Sequence, residues 1–223
     1  LQNIKNGLPV IFLALLSVSG FASGHAKNRC QSVLTHLTTL PKKTAQVLVV
    51  TPVSGYKAKI IACQRQGNRW KPILPTVKAV IGKSGVAPIG KKREGDLKTP
   101  AGLYSLGEAF GFQPLALKMD YKYITPDDKY VDDVNSKDYN HWVNGKTEAK
   151  SYEFMHVKFY KMGIVVNYNK DPIVPGAGSA IFMHLWKSAN TPTAGCIAMD
   201  KQHLLAILLW LDKNQHPSIF IRS

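Results

Sequence analysis

Acidic side chains are scarce in this chain: 14 Asp and Glu stand against 29 Lys and Arg in 223 residues, a formal net charge of +15. That imbalance calls for an anionic surrounding, whether nucleic acid, an acidic membrane surface or an anionic cell wall. Nucleic acid is disfavoured, because the basic residues are scattered and no zinc-finger, RRM or helix-turn-helix pattern occurs. No set of His, Cys, Asp and Glu has metal-ligand spacing, so neither a structural nor a catalytic zinc is expected. Gly82-Lys83-Ser84 imitates the end of a phosphate loop, but Val77 stands where the earlier glycine would be, which removes ATP or GTP chemistry. Internal repeats and low-complexity segments are absent, and the length suits a single domain with a small appendage.

Long apolar runs are missing too. The longest, Leu8 to Phe21, is too short and too interrupted by Gly and Ser for a membrane span. With Lys5 before it and Ala22, Ser23, Gly24 and Ala26 after it, residues 1–26 read as an export signal. The expectation is an exported protein of the periplasm or cell wall, without a stable membrane anchor once the signal is cleaved. Cysteine is rare, at Cys30, Cys63 and Cys196. If Cys196 is kept free, the other two form an even pair suited to a disulfide, the alternative being two buried reduced thiols.

Residues 27–44 form a helical segment, in which Cys30 to Leu40 suits a short amphipathic helix with Val33, Leu34, Leu37 and Leu40 on one face and Pro41 ending it. From residue 45 to 223 the pattern is that of one β-rich domain. Strands are expected at Ala45–Thr51, Lys57–Arg65, Trp70–Leu74, Val77–Ile81, Tyr152–Val157, Gly163–Tyr168, Ala180–Leu185 and Ser218–Ile221. Asp200 is a good N-cap for a buried helix from Lys201 to Leu211. Residues 90–100 read as a basic, solvated loop or the rim of a cleft. Six acidic residues gather between Asp120 and Asp138; they suit turns built by Asp and Asn side chains, or a face for an amine-bearing acceptor, and lack EF-hand spacing. His141 and His156 read as core or rim histidines.

The stretch from Ser179 to Asp200 places His184 and Cys196 on either side of a polar loop. That is the minimum equipment for a cysteine nucleophile with a histidine base. Gly195 would let a carbonyl approach the backbone, and the N–H groups around Gly195 and Cys196 would receive the oxyanion. The competing reading is a buried cysteine and a core histidine.

Ile181-Phe-Met-His184-Leu-Trp186 followed by Pro192-Thr-Ala-Gly-Cys196-Ile-Ala-Met199 resembles the L,D-transpeptidase catalytic domain. Lys98-Thr-Pro-Ala-Gly-Leu-Tyr-Ser, Asp138-Tyr-Asn140, Val165-Val-Asn-Tyr-Asn169 and Val174-Pro-Gly-Ala-Gly-Ser179 extend the likeness over about residues 45 to 222. Two positions depart from it: the family's second histidine is Ala194 here, and a common arginine is Ala198.

The resemblance implies a mainly β fold, a sandwich-like or barrel-like core of mixed sheets with a buried C-terminal helix. It also implies a reaction on peptidoglycan stem peptides in which Cys196, helped by His184, forms a thioester that an amine resolves into a cross-link. Water in place of the amine would give carboxypeptidase activity. The Leu185 carbonyl would orient His184, with Thr193 and Trp186 as further candidates for substrate contact. No cofactor is needed, and a carbapenem is an expected inhibitor. A non-catalytic wall-binding module on the same fold is the alternative from a different class. Papain-like peptidases place Cys before His, and the sortase pattern is missing.

Overall fold

The computed structural model describes residues 24–223, with side chains from residue 29 onward. The export signal, apart from its last residues, lies outside the described residues. The fold is organised by a mixed ten-stranded sheet. Its strands are β1 (Gln46–Ser54), β2 (Lys57–Gln66), β3 (Arg69–Pro72), β4 (Val77–Val80), β5 (Gly102–Gly111), β6 (Tyr121–Tyr123), β7 (Met162–Val166), β8 (Phe182–Leu185), β9 (Ile197–Met199) and β10 (Ser218–Ile221).

The order β1-β10-β5-β7-β8-β9-β4-β2 returns on itself, because β2 also pairs with β1 along nearly its whole length. The sheet is therefore a barrel, which removes most open strand edges. β3 extends it beside the second half of β2, and β6 beside the end of β5. The β1–β10 and β8–β9 pairs are parallel, and the other pairs of the ring are antiparallel.

Alternation along the strands divides the apolar residues between the two sides of the wall. Leu48, Ile60, Ala79, Ile164, Met183, Ile197 and Ile219 fill the interior. Helix α1 spans Gly24–Leu34 and helix α2 spans Lys201–Trp210. α2 adds Leu204, Ile207 and Leu208 to the interior cluster, and Asp200 caps it by accepting the His203 N–H at 3.0 Å. Outside the wall lies a second cluster of Phe110, Tyr130, Met155, Tyr160, Phe182 and Cys196, covered by a small sheet of Trp142–Asn144, Asp128–Val131 and Tyr152–Phe154. A third cluster joins α1 to the outer face of β1 and β2, where Cys30 and Cys63 form a disulfide.

Several expectations need correction. The first helix starts and ends six residues earlier than its apolar spacing suggests. Beyond Leu34, β-branched Thr35, Thr38 and Thr39 weaken helix propagation, and the chain continues in turns that still bring Leu37 and Leu40 to the third cluster. Leu209 stays 53% exposed, so α2 is buried on one side only. His141 and His156 are both exposed, and His156 stacks on Phe112.

The longest omission is β5, ten residues that carry three glycines. Its partner β7 is irregular between Ile164 and Val166, which face Ala109 and Leu106. That bulge breaks the period of two by which a strand is recognised in sequence.

Within the acidic segment, Asp128 is buried and accepts hydrogen bonds from Thr125, Trp142 Nε1 and Asn144 Nδ2. Burial works to raise its carboxyl, and these donors outweigh burial and hold it below the ordinary value. Asp133 likewise receives the Asn135 and Lys150 N–H groups, so this part of the segment is turn-building.

Candidate active site

β8 and β9 pair in parallel, with Met183 beside Ile197 and His184 beside Ala198. Carried back one residue, that register sets Cys196 beside Phe182, whose N–H donates to Cys196 Sγ at 3.4 Å. Alternate residues of a strand share a face, so His184 and Cys196 emerge together on the side away from Met183 and Ile197. Both line one cavity of about 250 Å³, with Glu153, Tyr160, Trp186 and Thr193 among its walls.

His184 Nδ1 lies 2.9 Å from the Leu185 carbonyl oxygen, which requires the proton on Nδ1 and leaves Nε2 as the basic nitrogen of the neutral ring. Tyr160 packs edge-on against the imidazole, 5.1 Å between centroids. Burial pulls His184 down to about 4, against the opposing effect of its bond to Leu185. Burial also pushes the Cys196 thiol well above its ordinary value, and the negative Glu153 adds to the rise. The Cys196 S–H donates to the Ala180 carbonyl at 3.2 Å. The resting pair is thus a neutral thiol and a neutral imidazole, not the preformed ion pair that lowers a cysteine in some nucleophilic sites.

The backbone that carries these groups is fixed from several directions. Ala180 has a left-handed φ of 52°, and its N–H donates to Asn140 Oδ1 at 3.2 Å. Asn140 Nδ2 in turn bonds the Tyr168 and Asn169 carbonyls. Tyr139 donates its hydroxyl proton to Glu94 at 2.6 Å and accepts the Gly178 N–H at 3.0 Å.

Below the loop, Thr99 Oγ1 donates to the Gly195 carbonyl at 2.7 Å and accepts the Gly82 N–H at 2.9 Å. A Cβ on Gly195 would lie 3.0 Å from the Lys98 carbonyl oxygen, and one on Gly82 only 2.4 Å from that of Leu97. The phosphate-loop imitation is therefore a close backbone crossing. Residues 90–100, expected as a solvated loop, include Lys92 at 4% exposure, paired with Asp96 at 2.7 Å. Among the described residues no group of three His, Cys, Asp or Glu has the arrangement of a metal site.

The expected oxyanion donors need one revision. Thr193 Oγ1 accepts the Gly195 N–H at 3.1 Å and donates to the Cys196 carbonyl at 2.6 Å, so the Gly195 amide is already engaged. Among the described residues, the Ala194 and Cys196 N–H groups make no backbone hydrogen bond, and both residues line the cavity, so they replace the Gly195 amide as the candidate donors. Thr193 holds the turn, while Leu185 and Trp186 lie on the cavity wall.

The family model of the YkuD L,D-transpeptidase catalytic domain matches residues 57–219, from the first residue of β2 into β10. The chain belongs to the L,D-transpeptidase family. No curated protein and no solved structure matches it. As an L,D-transpeptidase domain it departs from the common pattern at two cavity positions, Ala194 at the exposed mouth and Ala198 beside His184. Sequence reasoning missed Glu153, Tyr160, Asn140 and Thr99. A strand of three residues and isolated polar side chains carry no periodic signal, and only the folded chain brings them to the thiol.

Proposed function

We propose that this protein is an exported L,D-transpeptidase that acts on peptidoglycan stem peptides through a thioester on Cys196. The observation that carries the reading is the shared cavity of Cys196 and His184, with the imidazole tautomer fixed by Leu185 so that Nε2 is free to take a proton. As sulfur attacks the carbonyl between a diamino acid and a terminal D-residue, Nε2 accepts the thiol proton. The Ala194 and Cys196 N–H groups stabilise the oxyanion. The C–N bond then breaks, the departing amine takes the proton from the imidazolium, and the thioester remains. An amine of a second stem resolves it to a cross-link, or water resolves it to a trimmed stem. Because both groups rest neutral, proton transfer accompanies attack and follows substrate binding. The leader-like residues 1–26 and the Cys30–Cys63 disulfide support an oxidising, extracytoplasmic setting.

Intact-mass spectrometry with and without a carbapenem tests the nucleophile, alongside release of the terminal D-residue from a stem tetrapeptide. Wild type should gain one drug-sized adduct and release the residue, and Cys196→Ala should do neither while melting normally. A wild-type protein that does neither would instead favour a wall-binding module.

A further inference from the structure

Glu153, in the middle of the short strand Tyr152–Phe154, lines the same cavity as Cys196 and His184. Its carboxylate accepts the Tyr160 hydroxyl at 2.5 Å, and the ring of Tyr160 rests against His184. Among the described residues no Lys, Arg or His nitrogen forms an ion pair with it, in a chain whose net charge is +15. Lys92 is committed to Asp96, and Lys187 stands exposed on the cavity rim.

The charged groups that act on Glu153 are themselves acidic. Asp132 and Glu94 add to the effect of burial in raising its carboxyl above the ordinary value, against the Tyr160 hydrogen bond. Glu94 is held by Tyr139 and Ser179, and Asp132 Oδ1 is buried without a hydrogen-bond partner. This carboxylate also works against the nucleophile, because it disfavours the Cys196 thiolate. A partly buried charge that opposes thiolate formation and lacks a cation from the protein is suited to a cation that arrives with a ligand.

We infer that Glu153 receives the primary ammonium of the acyl acceptor, and so favours amine transfer over hydrolysis at the thioester. The ammonium gives one proton to the Glu153 carboxylate, the free amine attacks the thioester carbonyl, and the C–S bond breaks as His184 Nε2 passes a second proton from the attacking nitrogen to the Cys196 sulfur; Glu153 then releases its proton to solvent. The inference rests on the thioester reading above and adds the residue that selects the second substrate. Glu153 belongs to the small sheet, so the acceptor would approach from that side of the cavity. Acylation precedes acceptor binding and does not need the contact.

The test compares wild type with Glu153→Gln, which keeps an oxygen for Tyr160 and removes the charge. With a stem tetrapeptide as donor and Nα-acetyl-lysine amide as acceptor, release of the terminal D-residue should not slow, because the variant removes a charge that opposes the thiolate. The ratio of transfer to hydrolysis should fall about tenfold, the size expected for one charged contact. In the absence of acceptor, Cys196 should react with iodoacetamide faster in Glu153→Gln than in wild type while the melting temperature stays at the wild-type value, which separates loss of the charge from exposure of the thiol by a damaged fold. An unchanged transfer ratio, a parallel loss of acylation and transfer, or slower alkylation would overturn the assignment.

A chemical-shift titration of Cys196→Ala with the same amine, against its Nε-acetyl analogue and with Glu153→Gln added, separates the two readings. Saturable binding of the amine alone, lost with Glu153→Gln, supports the ammonium site even if the wild type forms no acyl-enzyme. Carbapenem acylation without such binding leaves the enzyme reading standing and removes this one.

Discussion

A neutral imidazole buried beside a neutral thiol answers acid differently from a histidine on the surface. In the unfolded chain His184 titrates near 6.5, and in the folded chain burial brings it to about 4. Between those values the unfolded state binds a proton that the folded state refuses, so stability falls as pH drops through this window. The full effect is about 3 kcal/mol, from roughly 1.4 kcal/mol per unit. Glu153 works in the opposite sense, since its raised carboxyl holds a proton to higher pH in the folded chain. Urea denaturation midpoints of wild type should therefore decline between pH 6.5 and 4, and His184→Gln should flatten that decline. An unchanged slope in the variant would mean that His184 is already charged in the folded protein.

At the scale of elements, the thiol depends on a chain of backbone contacts that begins far from it in sequence. Asn140 holds Ala180 in its left-handed conformation, and the Ala180 carbonyl receives the Cys196 S–H. Asn140→Ala removes three hydrogen bonds from a buried side chain, and should cost about 1–3 kcal/mol of stability. It should also slow carbapenem acylation by roughly tenfold or more, because a reacting group displaced by a fraction of an ångström loses its attack geometry. Stopped-flow acylation of the folded variant checks this, and an unaltered rate would show that Ala180 needs no such support. Gly82→Ala carries a different expectation. Its Cβ would meet backbone on the neighbouring segment, so the strand must move and the melting temperature should fall, with a cost of about 1–3 kcal/mol.

Across the whole molecule, the three apolar clusters divide the labour. The barrel interior supplies the rigid wall, the second cluster holds Cys196, and the third ties α1 to β1 and β2 through Cys30 and Cys63. The disulfide and the thiol thus lie in separate clusters. A Cys30→Ser, Cys63→Ser double variant should lose about 2–4 kcal/mol, as expected for a cross-link that closes a loop of this length. Its Cys196 should still take up carbapenem at close to the wild-type rate, as intact-mass kinetics would show. A large loss of acylation in a folded variant would instead reveal coupling between the two clusters through the wall.

The strands that run through residues 46–80, 152–154, 162–166, 182–185 and 218–221, the N-cap at Asp200 and the pairing of one histidine with one downstream cysteine were legible in the chain itself. Each rests on local chemistry: a period of two, a side chain that bonds its own helix, and residue types suited to acyl transfer. The family was legible for the same reason, since its motifs are short and contiguous. β5 was hidden by three glycines and by the slip in register opposite Leu106 and Ala109. The closure of the barrel, the engagement of the Gly195 amide by Thr193, the neutral state of the thiol and the presence of Glu153 in its cavity were decided only by the folded structure. Each depends on groups distant along the chain and close in space, and burial and hydrogen bonding have no value until the wall that encloses them is built.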